Sequence, residues 1–292
     1  MMQSIKNNYQ KSLIHDVDWD ILIILDACRY DYFSRLYKDY FEGDLKKVTS
    51  PASETREWLR ETFTDFYNLV YVSANPYINS KGLSFGGINA KYYFSKIIDV
   101  WDFGWDNELE TVHPREVNKY VLESQKGIGK RIIAHYMQPH APYLSFHIPD
   151  SWWKAIKLIK NHSNKIKFIK SRINAWYKWR INSARKYCRI NMDFKNKTTN
   201  KSALRSHPYY MDVLLNVGEN ILNQVYEENL KIVLENVSML IKKSFSNKTI
   251  IITSDHGELL GENNYYGHPS KIKHPVLNEV PWFRVQGIKV VK

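Results

Sequence analysis

The chain has 292 residues, 43% of them hydrophobic and 14% aromatic, so it can build a sizeable core and is neither disordered nor fibrous. Its formal net charge of +12 favours anionic partners such as phosphate or sulfate esters, nucleic acid or an acidic membrane surface. Cys28 and Cys188 are the only cysteines, which excludes a disulfide framework and a cysteine metal site.

In chain order, residues 1–20 carry no apolar leader core, and no run approaches the ~18 apolar residues that span a bilayer. With the cysteine usage, this leads to the expectation of a cytoplasmic protein, peripheral to a membrane at most. Ile21 to Leu25 is a short, β-branched apolar run of the kind found in strands buried on both faces, and it ends in Asp26. A helical stretch follows over Tyr30 to Tyr40. The hydroxyl-rich segment Val48 to Leu59 leads into a second helix, Glu54 to Phe66. Leu69 to Val72 and Ile132 to Ala134 read as further strands on either side of a helix over Pro114 to Glu123.

From about Ser151 to Arg205, Lys and Arg interleave with Trp152, Trp153, Phe168, Trp176, Tyr177 and Trp179, almost without acidic residues. Ile156, Ile159, Ile166, Ile169 and Ile173 recur near helical spacing. The segment reads as a basic, aromatic helical insertion in a single domain spanning 1–292. It is either a lid over the site or a solvated face whose aromatics pack on the main domain. Asn216 to Lys243 is a long amphipathic helix with Leu222, Val225, Tyr226, Leu230, Val233, Leu234, Val237 and Ile241 on one face. Thr249 to Thr253 is a strand ending at Asp255, and Val280 to Val285 is placed at a sheet edge because of Pro281. Strands alternating with helices imply an α/β fold: a largely parallel sheet with helices on both faces.

In such sheets, active groups gather beyond the carboxyl ends of the strands. Asp26 and Asp255 both stand there, and His256 follows directly. Two carboxylates and an imidazole form a suitable donor set for a divalent cation. Asp26 alone has a structural alternative as the N-cap of the next helix, and Ser53 or Thr55 has the same alternative at the start of the helix that follows them. Either hydroxyl also has the position of a nucleophile, because a helix start offers backbone N–H groups to an anionic ester.

Ile23-Ile24-Leu25-Asp26-Ala27-Cys28, Ser50-Pro51-Ala52-Ser53-Glu54-Thr55, Gln138-Pro139-His140-Ala141-Pro142, Asp255-His256-Gly257-Glu258 and Gly267-His268-Pro269 resemble, in that order, motifs of the alkaline phosphatase superfamily. The resemblance is to its sulfatase-like and phosphoglycerol-transferase-like branches and spans most of the chain. It implies an alkaline-phosphatase-like sheet and one divalent ion (Zn, Mn, Ca or Mg) held by Asp26, Thr55, Asp255 and His256. By the same resemblance, His140 and His268 hold the ester oxygens or protonate the leaving group. The two-zinc phosphatases carry an aspartate where this chain has Tyr136, so a complete second metal site is not implied.

The chain also lacks the cysteine or serine motif that sulfatases convert to formylglycine, so Thr55, ahead of Ser53, is the expected nucleophile for phosphate or sulfate esters. His135 reads as structural. The activity implied is hydrolysis or transfer of such esters through a covalent intermediate. Two other readings stay open. One is a catalytically weak protein that binds nucleic acid or another anionic polymer through 151–205, and the other is a phosphotransferase on an anionic membrane surface acting on lipid-linked glycans. No specific protein partner is expected.

Overall fold

The computed structural model describes residues 8–125, 131–145, 219–244 and 247–289. The expected insertion over 151–205 lies outside them. The described residues belong almost entirely to one unit, drawn from Met1–Ser145, His207–Leu260 and Tyr266–Lys292.

Its centre is a seven-stranded sheet. The strands are β1 (Ile21–Leu25), β2 (Phe41–Thr49), β3 (Tyr67–Ser73), β4 (Phe94–Asp99), β5 (Arg131–Tyr136), β6 (Ile250–Thr253) and, after two short strands, β9 (Glu279–Ile288). Their order is β2-β9-β6-β1-β5-β3-β4. The pairs β6-β1, β1-β5, β5-β3 and β3-β4 are all parallel, with Ile23 level with Ala134 on one side and Ile252 on the other. Only β9 runs antiparallel to its neighbours β6 and β2. The short strands β7 (Leu259–Leu260) and β8 (Tyr266–Gly267) form a separate antiparallel ribbon.

All five residues of β1 are buried, which explains their unbroken apolar character: a central strand covered on both faces has no solvent side. Alternation along the strands divides the core. Leu22, Ile24, Tyr71, Ile133 and Ile251 pack with Ile14 of helix α1 (Gln10–Asp16) and with Trp58 and Leu59 of α3 (Thr55–Thr62). The other face is covered by α2 (Tyr30–Leu36), α4 (Pro114–Ser124) and the long α5 (Glu219–Ser244). Trp58 and Phe63 are almost completely enclosed, and a large apolar side chain buried to that degree contributes about 1.5–3 kcal/mol.

The expected helices and four expected strands are present, with the helix over Tyr30 to Tyr40 ending at Leu36 before a 3-10 turn. One expectation fails. The segment around Pro281 is not an edge: β9 lies between β6 and β2, and the edge is β2, with Pro281 level with Lys47. The proline is tolerated because its carbonyl accepts a hydrogen bond from Thr253 Oγ1 at 2.6 Å. Its nitrogen therefore faces the same side, beyond the point where β6 pairing begins at Trp282, and no ladder bond is lost.

Candidate functional site

Asp26, Thr55, Asp255 and His256 meet at the carboxyl ends of β1 and β6 and at the start of α3, and all four are buried. The turn after β1 puts Ala27 in the left-handed region, at φ 58°, an uncommon state for a residue with a Cβ. It is held from several sides. Ala27 N–H donates to Asp255 Oδ1 at 3.1 Å, Cys28 N–H donates to Ser254 Oγ at 2.7 Å, and Tyr226 of α5 donates to the Ala27 carbonyl at 2.7 Å. Asp26 is therefore no helix cap: the N-cap position of α2 is Arg29. After Asp255, Gly257 lets the chain pass so close to the segment Pro275–Asn278 that a Cβ there would lie 1.9 Å from the Val276 carbonyl oxygen.

Within this frame, Asn75 Nδ2 donates to Asp26 Oδ2 at 2.8 Å and Thr55 Oγ1 donates to Asp255 Oδ2 at 2.7 Å. His256 Nδ1 lies 2.9 Å from the Gly257 carbonyl, which can only accept, so Nδ1 carries a proton. In the neutral ring the Nε2 lone pair then faces Asp255 Oδ2 at 3.3 Å, Asp26 Oδ1 at 3.6 Å and Thr55 Oγ1 at 3.4 Å. Asp26 Oδ1 is buried and has no hydrogen-bond partner among the described residues. A lone pair facing an orphaned carboxylate oxygen is repulsive unless a proton or a cation lies between them, and oxygen with imidazole nitrogen is a donor set that Zn²⁺ or Mn²⁺ accepts. These residues fit a divalent ion.

The electrostatics of the carboxylate pair point the same way. Burial and the neighbouring Asp255 raise Asp26 well above the usual carboxylate range. Burial acts in the same direction on Asp255, but His256, His135 and the Thr55 hydrogen bond outweigh it and hold that residue low. Without a cation, the two buried carboxyl groups therefore resist being ionised together.

Beside this cluster lies a second. His140 Nε2 and His268 Nε2 are 2.9 Å apart, and the His268 ring centroid is 4.4 Å from that of His256. His140, Glu258 and His268 present ligand atoms within 4.8 Å of one another. Burial, with His256 and His140 adding to it, drives His268 well below the ordinary histidine value, so it is a neutral hydrogen-bonding group near pH 7. The loop bearing His140 is organised by Asn229 of α5, whose Nδ2 donates to the carbonyls of Pro139 and His140 at 3.1 Å each, while its Oδ1 accepts from Leu144 N–H at 3.0 Å.

All six residues expected at the site thus converge. Thr55 enters the first cluster, whereas Ser53 turns away and donates to the Pro269 carbonyl at 2.8 Å. Tyr136 donates to Asn118 Oδ1 at 2.7 Å and supplies no ligand. The sequence reading assigned no role to Glu258, although it stands in the motif after Asp255-His256, and it missed Asn75, Tyr226 and Asn229. Only Asn229 left a trace, a polar residue within the apolar stripe of its helix.

Fold and site define an α/β protein with a buried cluster of two carboxylates, an imidazole and a hydroxyl at its strand ends, a donor set that fits a divalent cation. In structure, the chain is similar to the soluble domain of lipooligosaccharide phosphoethanolamine transferase A from Neisseria meningitidis, at 14% identity over 90% of this chain and 75% of that one, TM-score 0.48. It is also similar to the C-terminal periplasmic domain of EptC from Escherichia coli, solved in complex with Zn, at 13% identity over 94% of this chain and 74% of that one, TM-score 0.48. A third likeness is to a putative sulfatase from Bacteroides thetaiotaomicron, at 11% identity over 91% of this chain and 63% of that one, TM-score 0.44. No protein-family model and no curated protein sequence matches the chain.

The expected cytoplasmic location is corrected by these likenesses, since the EptC domains of Escherichia coli and Campylobacter jejuni are periplasmic. The expectation rested on cysteine usage and on the lack of an apolar leader core or membrane-spanning run. A buried, unpaired thiol such as Cys28 reports that no disulfide forms there, not which compartment surrounds the protein.

Proposed function

We propose that the protein is a metal-dependent enzyme that transfers or hydrolyses phosphate or sulfate esters through a covalent intermediate on Thr55. The observation that carries this reading is the arrangement of Asp26 Oδ1 and His256 Nε2, two buried electron-pair donors facing each other beside a helix-start hydroxyl. Asp26, Thr55, Asp255 and His256 would hold the ion, which when bound supplies Lewis acidity to the hydroxyl and to the ester.

Thr55 Oγ1 attacks phosphorus or sulfur, and Asp255 Oδ2, already accepting its hydrogen bond, is placed to receive the proton. As the Thr–O–P or Thr–O–S bond forms, the bond to the leaving oxygen breaks. His140 and His268 hold the non-bridging oxygens, and a proton held by His140 passes to the leaving oxygen. Water or an acceptor hydroxyl then takes the group from Thr55. The start of α3 adds backbone N–H groups that have no partner within the helix, next to the nucleophile, which favours an anionic substrate.

The test is an activity screen with nitrophenyl phosphate, bis(nitrophenyl) phosphate and nitrophenyl sulfate in the presence of Zn²⁺, Mn²⁺, Mg²⁺ or Ca²⁺. Turnover that vanishes with a chelator and with Thr55→Ala, and a phosphorylated or sulfated Thr55 peptide in quenched reactions, are the expected results. Full activity of Thr55→Ala, or of Asp255→Asn, would sink the reading. A membrane-side acceptor is a second reading, favoured by the run of Lys, Arg and Trp over 151–205. Flotation with anionic phosphatidylglycerol vesicles tests it, and absence of binding rejects it.

A further inference from the structure

His135 is the last residue but one of β5, lies beside Asp26 and Asp255, and is fully buried. Its Nδ1 lies 2.8 Å from the hydroxyl of Tyr71, a residue that is also fully buried. Its Nε2 has no hydrogen-bond partner among the described residues and lies 3.8 Å from Asp26 Oδ2 and 3.8 Å from Asp255 Oδ2. A buried polar ring nitrogen in that position needs an account.

Two arrangements of the protons are available. If Nδ1 carries the proton and donates to Tyr71, the tyrosine hydrogen is left without a partner and the Nε2 lone pair faces two carboxylates. If Tyr71 donates to Nδ1, the proton sits on Nε2 and points at both carboxylates, and every group is satisfied or attracted. The second arrangement wins on each count. At 3.8 Å, the N–H is roughly an ångström beyond hydrogen-bond distance from each oxygen. It therefore attracts both without occupying a lone pair that a cation needs.

We propose that His135, with its tautomer set by Tyr71, is a positioning residue that holds Asp26 and Asp255 at the separation a divalent ion requires. This rests on the metal-centre reading above. Outer groups that orient acidic or imidazole ligands typically change metal affinity by about 10–100-fold when removed. His135 is placed to act on two ligands at once, one from β1 and one from the end of β6, whose strands flank each other in the sheet.

The full-length chain is titrated with Zn²⁺ against a chromophoric chelator, alongside melting of the metal-free proteins and ring ¹⁵N spectra. His135→Ala is expected to weaken Zn²⁺ by about 10–100-fold, and His135→Gln, whose amide N–H can replace the donor, to stay within roughly threefold of wild type. Tyr71→Phe should lose less than about tenfold and shift the ring proton of His135 from Nε2 toward Nδ1. Should His135→Ala fail to fold, Tyr71→Phe decides, because it deletes a single hydroxyl. Wild-type affinity in His135→Ala, an equal loss in His135→Gln, or an unchanged ring tautomer in Tyr71→Phe overturns the inference while the metal centre stands. A wild-type chain that binds no Zn²⁺ removes both.

Discussion

Asp26, Asp255 and His256 are fixed mainly by backbone, whereas His140 and His268 stand on loops, and His140 is held by the side chain of a distant helix. The first three leave adjacent parallel strands, and their turns are pinned by Ala27, Ser254 and Gly257, with further bonds from Tyr226. His140 depends on Asn229, which satisfies several backbone groups of its loop at once. An ion pocket tolerates little displacement of its ligands, and strand ends supply that rigidity. The loop also has His140 N–H donating to the Asp26 carbonyl at 3.1 Å, so its backbone is tied to the first cluster and its side chains are left to meet a substrate.

The comparison breaks if both clusters respond alike to substitution. His256→Ala should lower turnover at least about 10³-fold together with loss of Zn²⁺ binding, since it removes an ion ligand. His140→Ala and His268→Ala should lower kcat by about 10²–10³-fold, yet leave Zn²⁺ affinity within about threefold. If either histidine variant loses the ion as completely as His256→Ala, the two clusters are one. Asn229→Ala should cost about 1–3 kcal/mol of stability, because it leaves buried loop groups unpaired. Its kcat/KM should fall by about tenfold with Zn²⁺ affinity intact, read from thermal melting and steady-state kinetics.

The smallest effect concerns stability and pH. Asp26 has a raised value in the fold, so its contribution to metal-free stability is full below the unfolded carboxylate value and is lost as pH rises through the folded value. Asp26→Asn should therefore raise the melting temperature of the metal-free protein at neutral pH, by roughly 2–4 °C for each kcal/mol of relieved repulsion. The gain should fade as the solution is acidified and wild-type Asp26 takes up its proton. A variant that melts lower than wild type at neutral pH in chelator would contradict the raised value of Asp26. Zn²⁺ binding should weaken on acidification for the same reason, since both carboxylates must be ionised.

The strands β1, β3, β5 and β6 were legible because burial on both faces demands continuous apolar runs. The edge strand β2 was not: its exposed positions are Glu42, Asp44, Lys46, Lys47 and Thr49, and Gly43 interrupts it, which composition alone reads as loop. Pro281 misled in the opposite direction. Its missing N–H suggested an edge, and only the register shows that β6 offers no partner there. At the site, Asp26, Thr55, Asp255, His256, His140 and His268 were legible because their chemistry is carried by short motifs at strand ends and turns. Asn75, His135, Tyr226 and Asn229 act through contacts across the fold, and local sequence cannot encode those.

Anomalous diffraction at the zinc edge, from crystals of the full chain equilibrated with Zn²⁺, tests the central claim most directly. The account predicts a strong peak within about 2.0–2.3 Å of Asp26, Asp255 and His256 ligand atoms. A strong peak only among His140, Glu258 and His268, or none in either cluster, would contradict it.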